Sequence, residues 1–139
     1  MENILNNAKF NYYVSKTKTL IITVTDKEYN SIKAIINNSE TIINDNYIYT
    51  FGRIGLYDVV LGKNTYMGIC NAIITINHYC KYMKIDYVFM LGICAGISAK
   101  VNLKDVIIAN KIIAYEKQKV TESHFFKKYI EFKDQTFII

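Results

Sequence analysis

Two groups of residues in this sequence are placed where a ligand could be held and attacked. Glu28 follows the apolar run 19–24 after a short turn, and the small residues Gly92-Ile93-Cys94-Ala95-Gly96 follow a second apolar run. A carboxylate at the end of a buried strand could activate a water molecule as a general base. Small residues at a strand end let backbone amides and carbonyls approach a flat ligand, because no side chain intervenes.

Both groups also have a purely structural interpretation. The sequence Thr25-Asp26-Lys27-Glu28 matches a capping box, in which the acidic residue serves the N-terminus of its own helix. On the residues alone, this capping role is favoured for Glu28. The loop that starts at Gly92 has neither the ending of a P-loop nor the three glycines of a dinucleotide fingerprint, so it could simply connect two elements.

The remaining reactive residue types suggest no further chemistry. Cys70, Cys80 and Cys94 have no two-residue spacing, and they are expected to be reduced thiols in the core. His78 and His124 lack neighbouring ligands at helical or loop spacing, so neither a metal site nor a cofactor is expected. The formal net charge is +5, but the lysines are spread along the chain, which favours a solvated surface over a nucleic-acid footprint.

The elements that must position Glu28 and the loop alternate between strands and helices. Residues 19–24 and 87–91 are apolar runs of strand length, and residues 47–51 and 57–61 predict an antiparallel pair around a Gly-containing reversal. The helix after the capping box has apolar or aromatic residues at helical spacing, namely Tyr29, Ile32, Ile35 and Ile36. A second helix begins after Gly68, and its predicted apolar face consists of Ile69, Ala72, Ile73, Ile76, Cys80 and Met83.

Beyond residue 102 the sequence predicts a strand at 106–109 that could extend to 115, a helix at 123–132 and a strand at 136–139. Strands that alternate with helices indicate an α/β domain with crossover connections. Ligands bind beyond the carboxyl ends of the strands in such sheets. Residues 24–28 and 92–96 both qualify as such places.

The sequence resembles the nucleoside phosphorylase and nucleosidase superfamily in three segments. They are residues 49–68 followed by Asn71-Ala72, residues 86–96, and residues 105–109. Residues 105–120 look especially like the phosphorylase-like domains of bacterial proteins implicated in antiviral defence. The resemblance implies an α/β fold of three αβα layers with a mixed, mainly parallel central sheet. Residues 1–139 would be the N-terminal part of one such domain, apparently truncated, with residues 1–17 as an N-terminal extension.

The same resemblance implies roles for the candidate residues. Glu28 matches the acidic residue that positions the attacking water in methylthioadenosine/S-adenosylhomocysteine nucleosidases and their relatives. The loop after the second apolar run matches the wall of the purine pocket, and the helix start matches the ribose and anion end, where amide dipoles favour negative charge. The residues implied to bind substrate are Gly68, Asn71, Gly92, Ile93, Cys94, Ala95 and Gly96.

The implied activity is binding of a purine nucleoside or nucleotide and cleavage of its N-glycosidic bond. Phosphorylases of the superfamily hold phosphate with a Gly-rich turn and arginines, whereas residues 23–26 contain no Gly and Arg53 is the only arginine. Hydrolysis is therefore favoured over phosphorolysis, although a lysine could still hold phosphate as a point charge. The family's ribose-binding Met-Glu segment and the Asp that protonates the departing purine would lie beyond residue 139.

Two other functions compete with this interpretation. The chain could be a catalytically inactive, shortened homologue that binds a nucleotide or forms hetero-oligomers, or it could bind RNA through surface lysines and tyrosines. The resemblance also implies a homo-oligomer. The N-terminus lacks a signal-peptide pattern and no apolar run reaches the length of a membrane span, so a cytoplasmic location without a membrane partner is expected.

Overall fold

The structure is a computed structural model that describes residues 2–64, 66–97, 99–109, 112–114, 118–121, 124–127 and 130–132. It contains two compact units, Met1–Cys94 and Ala95–Ile139. The elements of the first unit are α1 (Glu2–Lys16), β1 (Thr19–Thr23), α2 (Asp26–Lys33), β2 (Asn37–Asn44), β3 (Tyr47–Ile54), β4 (Tyr57–Lys63), α3 (Ile69–Tyr82) and β5 (Tyr87–Met90). The second unit contains β6 (Ile112–Ala114), β7 (Gln118–Thr121), β8 (His124–Lys127) and β9 (Ile130–Phe132).

A five-stranded mixed sheet with the order β2-β3-β4-β1-β5 forms the centre of the first unit. β1 pairs in parallel with both neighbours, so that Leu20 lies between Val60 of β4 and Val88 of β5. β2, β3 and β4 pair antiparallel. The strands predicted at residues 19–24, 47–51, 57–61 and 87–91 are confirmed as β1, β3, β4 and β5. The predicted α/β fold with a mixed sheet is also confirmed.

Helices cover both faces of this sheet, because successive side chains of each strand point to opposite sides. Leu20 and Ile22 of β1 belong to one cluster, which α1 and α3 complete with Phe10 and Tyr79. Ile21 belongs to a second cluster on the other face, which α2 completes with Tyr29 and other residues. The three αβα layers that the sequence predicts are therefore confirmed, and the extension predicted for residues 1–17 contains α1.

The β2–β3 hairpin is a feature that the sequence analysis missed. Its turn is formed by Asp45 and Asn46, which have φ angles of 47° and 64°. Positive φ at both central residues is the requirement of a type I′ hairpin turn, and Asn and Asp tolerate it better than most residues. The β3–β4 hairpin was predicted, but its chain reverses at Gly55 and Leu56, and Gly52 lies inside β3.

Helix α3 forms as predicted but buries a different face. Tyr79 is fully buried and Thr75 nearly so, while three positions of the predicted face are exposed, namely Ile69, Ile73 and Cys80. The hydroxyl groups of the buried pair find acceptors inside the unit, because Thr75 donates to Asn64 and Tyr79 donates to the Ile48 carbonyl. The predicted face is rotated about the helix axis relative to the buried face, because the prediction counted only fully apolar side chains. A buried hydroxyl group with an acceptor is well tolerated.

The second unit differs from the prediction. Residues 106–109 form no strand, and their apolar side chains are exposed. The helix predicted at 123–132 is also wrong, since the described residues of this range belong to β8 and β9, which pair with β7 and β6 respectively. β-branched and aromatic residues in this segment favour strands over a helix. The strand predicted at 136–139 lies outside the described residues.

Two further expectations concern the surface. The three cysteines are free, but all of them are exposed, so their predicted place in the core is wrong. Cys70 and Cys80 lie on the outward side of α3, away from its buried residues. None of the described helices is long and apolar enough to cross a membrane.

Candidate functional site

Three loops meet at one edge of the sheet, because β4, β1 and β5 are parallel and end there. The backbone N–H of Asn64, just after β4, donates to the Thr23 carbonyl at 2.7 Å. On the other side of β1, the N–H of Leu91 donates to the Ile22 carbonyl at 2.9 Å. The turn before α2, the loop after β4 and the loop after β5 are therefore neighbours. The sequence predicts the first and the third of them as places where a ligand could bind.

Glu28 caps α2 through a complete capping box. Thr25, the N-cap residue, has an extended backbone, and its side-chain oxygen accepts the Glu28 N–H at 3.3 Å. In return, Oε2 of Glu28 accepts the Thr25 N–H at 2.8 Å and the Val24 N–H at 3.2 Å. The capping role that the sequence favours is thus confirmed, and the carboxylate is fixed at the end of β1.

The second oxygen of Glu28 reaches a loop that is 65 residues away in sequence. Oε1 accepts the backbone N–H of Ile93 at 2.9 Å. Gly92 makes this approach possible, because a Cβ at that position would lie 2.9 Å from Oε1. One carboxylate therefore joins the turn before α2 to the loop after β5, and the two candidate groups of the sequence analysis meet here.

These hydrogen bonds stabilise the ionised form of Glu28. They lower the pKa of its carboxyl group to about 2, mainly through the Thr25 N–H and next through the Ile93 N–H, against a smaller opposing effect of desolvation. The group is ionised at neutral pH. Such a carboxylate is a strong hydrogen-bond acceptor but a weak proton acceptor while all three N–H groups donate to it.

Gly68 and Asn71 lie at the start of α3, which follows β4 at the same edge of the sheet. Gly68 is the N-cap with φ of 107°, a backbone conformation that favours glycine, and no side chain caps this helix end. The Asn71 side-chain amide donates to the Met67 carbonyl at 3.1 Å. Among the described residues, neither Gly68 nor Asn71 forms a hydrogen bond with Glu28. These two residues therefore share an edge of the sheet with Glu28 but do not bind it.

The rest of the predicted loop is divided between the two units. Cys94 is exposed and ends the first unit, whereas Ala95 and Gly96 begin the second. Gly96 lies against its own unit, since a Cβ there would be 2.2 Å from Cγ2 of Val101. A role of Cys94, Ala95 and Gly96 in binding a base stays a prediction.

The sequence analysis missed two buried polar residues at this edge, Thr23 and Asn64. Asn64 Oδ1 accepts the Thr75 hydroxyl at 2.7 Å, which fixes the start of α3 to the end of β4. The Asn64 amide nitrogen and the Thr23 hydroxyl are buried and have no protein partner among the described residues. Their signal in the sequence is a polar residue at or shortly after the end of an apolar run, Thr23 directly after 20–22 and Asn64 three residues after Leu61.

Two cations at the ends of the sheet strands form ion pairs. Lys63, at the end of β4, forms an ion pair with Asp26 of α2. Arg53 lies at the opposite edge, beside the start of β4, where its guanidinium is 3.5 Å from Asp58. In the described part of the chain, no group of three or more His, Cys, Asp or Glu side chains could hold a metal ion.

This arrangement of strands and loops matches a known family. The family model of the phosphorylase superfamily matches residues 18–137 of the chain. The chain belongs to the phosphorylase superfamily. The resemblance to the nucleoside phosphorylase and nucleosidase superfamily stated from the sequence is thereby confirmed. No curated protein sequence matches the chain significantly.

Solved structures with the same fold are nucleosidases. A 5'-methylthioadenosine/S-adenosylhomocysteine nucleosidase from Colwellia psychrerythraea 34H, in complex with adenine, is 19% identical with a TM-score of 0.64, and the match covers 75% of this chain and 43% of that chain. The Streptococcus pneumoniae nucleosidase with 8-aminoadenine is 19% identical with a TM-score of 0.65, over 72% of this chain and 44% of that chain.

A third example is the Neisseria meningitidis nucleosidase in complex with methylthio-immucillin-A, at 16% identity and a TM-score of 0.63, over 72% of this chain and 43% of that chain. At such identities, the likeness shows the fold alone. The chain spans less than half the length of these nucleosidases.

Proposed function

We propose that this chain provides part of a purine nucleoside or nucleotide site and that, in the complete protein, this site hydrolyses the N-glycosidic bond. The observation that carries the proposal is the contact between Glu28 and the Gly92-Ile93 backbone at the carboxyl ends of parallel strands. It brings an ionised carboxylate to the loop that would form the wall of the base pocket. The adenine, 8-aminoadenine and immucillin complexes of the solved nucleosidases support a purine as the ligand.

In this proposal, each group has a defined task. Glu28 accepts a hydrogen bond from the attacking water and orients it, while backbone atoms of Gly92 and Ile93 contact the base. Cys94, Ala95 and Gly96 continue the pocket wall, and Gly68 and Asn71 form the ribose end, next to the amide dipoles of α3. The homo-oligomeric state and the cytoplasmic location expected from the sequence remain part of the proposal.

Charge placement favours water over phosphate as the attacking group. A phosphate would need cationic side chains at the strand ends. Arg53 lies at the other edge of the sheet, and Lys63, the lysine at the end of β4, is paired with Asp26. Hydrolysis requires no rearrangement of these ion pairs, whereas phosphate binding by Lys63 would compete with its pair to Asp26.

The test is release of free adenine by the complete protein from adenosine, methylthioadenosine or ATP, with and without inorganic phosphate. Hydrolysis gives the free sugar as the second product, which is ribose, methylthioribose or ribose 5-triphosphate respectively, and phosphorolysis gives the 1-phosphate of the same sugar. Glu28→Gln should reduce the rate by at least about a hundredfold, the lower range for loss of a group in general acid–base catalysis. Glu40→Gln is the matched control, because the Glu40 carboxylate also accepts hydrogen bonds, from Lys9 and Tyr13, but lies on β2. Equal rates in both variants would contradict the role of Glu28.

A second candidate function is a binding module without catalysis. The specific observation in its favour is that all three hydrogen bonds of Glu28 go to backbone N–H groups, which leaves the carboxylate in a structural role. In addition, Asp26, the other carboxyl group beside it, is paired with Lys63 and is not free to protonate a departing purine. Saturable adenine binding without any release of base would favour this alternative.

A further inference from the structure

Glu28 has two tasks that compete for the same atom. Oε2 accepts two N–H groups of the turn before α2, and Oε1 accepts the Ile93 N–H at 2.9 Å. A carboxylate that orients a water molecule must offer it an oxygen lone pair in a favourable direction. Oε2 already accepts two N–H groups, so a water would have to bind to Oε1, where the Ile93 N–H takes the lone pair that faces the loop and leaves only the one that faces away.

We propose that Glu28 is a latch between the turn before α2 and the loop at Gly92–Cys94, and that a purine bound against this loop releases Oε1 for the water. This inference rests on the proposed function. In the ligand-free state, the Ile93 N–H donates to Oε1. In the bound state, the peptide between Gly92 and Ile93 turns, its N–H donates to a ring nitrogen of the purine, and Oε1 accepts a water O–H instead. Glu28 accepts three hydrogen bonds and the Ile93 N–H donates one in both states, so the exchange is feasible at low cost.

The two sides of the latch differ in how firmly they are held. The Oε2 side is part of the capping box, which fixes the carboxylate to the first turn of α2. On the Oε1 side, the Ile93 side chain is 85% exposed, so packing does little to hold the loop. Release of Oε1 therefore moves the loop and leaves α2 and its cap in place.

Gly92 provides a way to open the latch without a ligand. Its φ lies outside the left-handed region, so an alanine there causes no backbone strain. The alanine Cβ would lie 2.9 Å from Oε1 and 3.5 Å from the carboxyl carbon of Glu28. The group that has to give way is the end of a flexible side chain, and Gly92→Ala should therefore displace Oε1 from the Ile93 N–H while the fold persists.

The first experiment measures amide hydrogen exchange of Ile93 by NMR in the full chain at neutral pH. Exchange in Gly92→Ala should be faster than in the wild type by about ten- to a hundredfold, the range expected for a lost hydrogen bond to a charged acceptor. Glu28→Gln should have a similar effect, because a carboxamide offers one acceptor oxygen where the turn and the loop use two. Slow exchange of Leu20 and Ile22 confirms that β1 is intact in each variant, and Glu40→Gln should leave Ile93 unchanged.

The second experiment adds adenine to the wild type and to Gly92→Ala and follows the Glu28 carboxyl carbon as a function of pH. Adenine should raise the pKa of Glu28 in the wild type, because the Ile93 N–H no longer donates to it. In Gly92→Ala the pKa should already be raised without adenine.

Three results have distinct meanings. Wild-type exchange of Ile93 in Gly92→Ala overturns the latch, whatever the protein does with purines. An unchanged Glu28 pKa at saturating adenine overturns the release step, even if adenine is set free from nucleosides. Absence of adenine binding and of adenine release contradicts the proposed function and the release step together, while the exchange data still decide whether Glu28 holds the loop.

Discussion

Glu28 shows how one side chain connects local and distant parts of the chain. Its Oε2 serves the helix that begins two residues earlier, and its Oε1 serves a loop 65 residues further on. The local half of this role follows from the capping-box pattern, because the pattern fixes donors and acceptors within four residues. The distant half depends on the parallel pairing of β1 with β5, which places Ile22 beside Met90 and brings the following loops together.

The depressed pKa of Glu28 predicts a pH dependence of stability. A carboxyl group with a lower pKa in the folded than in the unfolded state stabilises the fold above its unfolded pKa, near 4.5. This stabilisation is lost as the pH falls through the folded pKa of about 2. Urea unfolding at pH 7 should therefore show the wild type to be more stable than Glu28→Gln, with a difference that shrinks towards pH 2.5. A difference that is the same at both pH values would contradict the hydrogen bonds to Glu28.

At the scale of elements, the sequence predicts best those that are buried in a simple pattern. β1 is apolar on both faces and central in the sheet, so a short β-branched run was sufficient to identify it. α2 was recognisable from its cap. β2 was missed because it lies at one edge of the sheet and its residues are mostly polar or exposed, so it has no apolar run.

The candidate site was also predictable only in part from the sequence. Glu28 and Gly92 were each found from local patterns, and their contact was not, since it depends on strand pairing. Asn64 was missed because a buried polar residue beyond a strand end looks like the start of an exposed turn, whereas Thr23 lies inside the predicted run 19–24 and was counted as part of the strand. The orientation of α3 was missed for a related reason, namely that hydroxyl groups of buried residues are paired only in the folded chain.

The orientation of α3 can be tested with a pair of alanine variants. Tyr79 is fully buried against the sheet, and its replacement by alanine should lower the free energy of unfolding by about 3–5 kcal/mol, as for other large aromatic residues in a core. Ile73 is 53% exposed, so Ile73→Ala should change it by less than about 0.5 kcal/mol. Urea unfolding measures both. A larger loss in Ile73→Ala than in Tyr79→Ala would show that the helix packs through the other face.

At the scale of the whole molecule, the edge strand β5 stands out. Its four side chains, on both faces of the sheet, are 42–55% exposed. A run of apolar residues like this one is typical of a strand that is covered on both faces. β5 is also the last strand of the five-stranded sheet, and an exposed apolar edge strand is a template for pairing with another chain. The isolated chain is therefore expected to associate through β5 as its concentration rises.

A single charge on β5 should suppress this association. Met90→Lys places a lysine on the exposed edge strand. Natural sheets use lysines on edge strands to prevent pairing with other chains, so the monomeric fraction should increase. Ile43→Lys is the matched control, because Ile43 is 71% exposed on β2, the strand at the other edge. Sedimentation velocity at several concentrations measures the effect. A wild type that stays monomeric, or equal effects of the two variants, would contradict association through β5.

The aromatic packing of α1 has a consequence for the order in which the chain acquires its structure during translation. Phe10 packs against Tyr49, Phe51 and Tyr82, with ring centroids 5.0, 6.1 and 5.9 Å away. At about 5–20 residues per second, the ribosome adds Tyr82 roughly 4–15 seconds after Phe10. A helix of 15 residues is only marginally stable alone, so α1 cannot form a lasting contact before those rings emerge. The first element to be synthesised is thus among the last to be fixed in place, and substitutions in α1 should act on the final stage of folding.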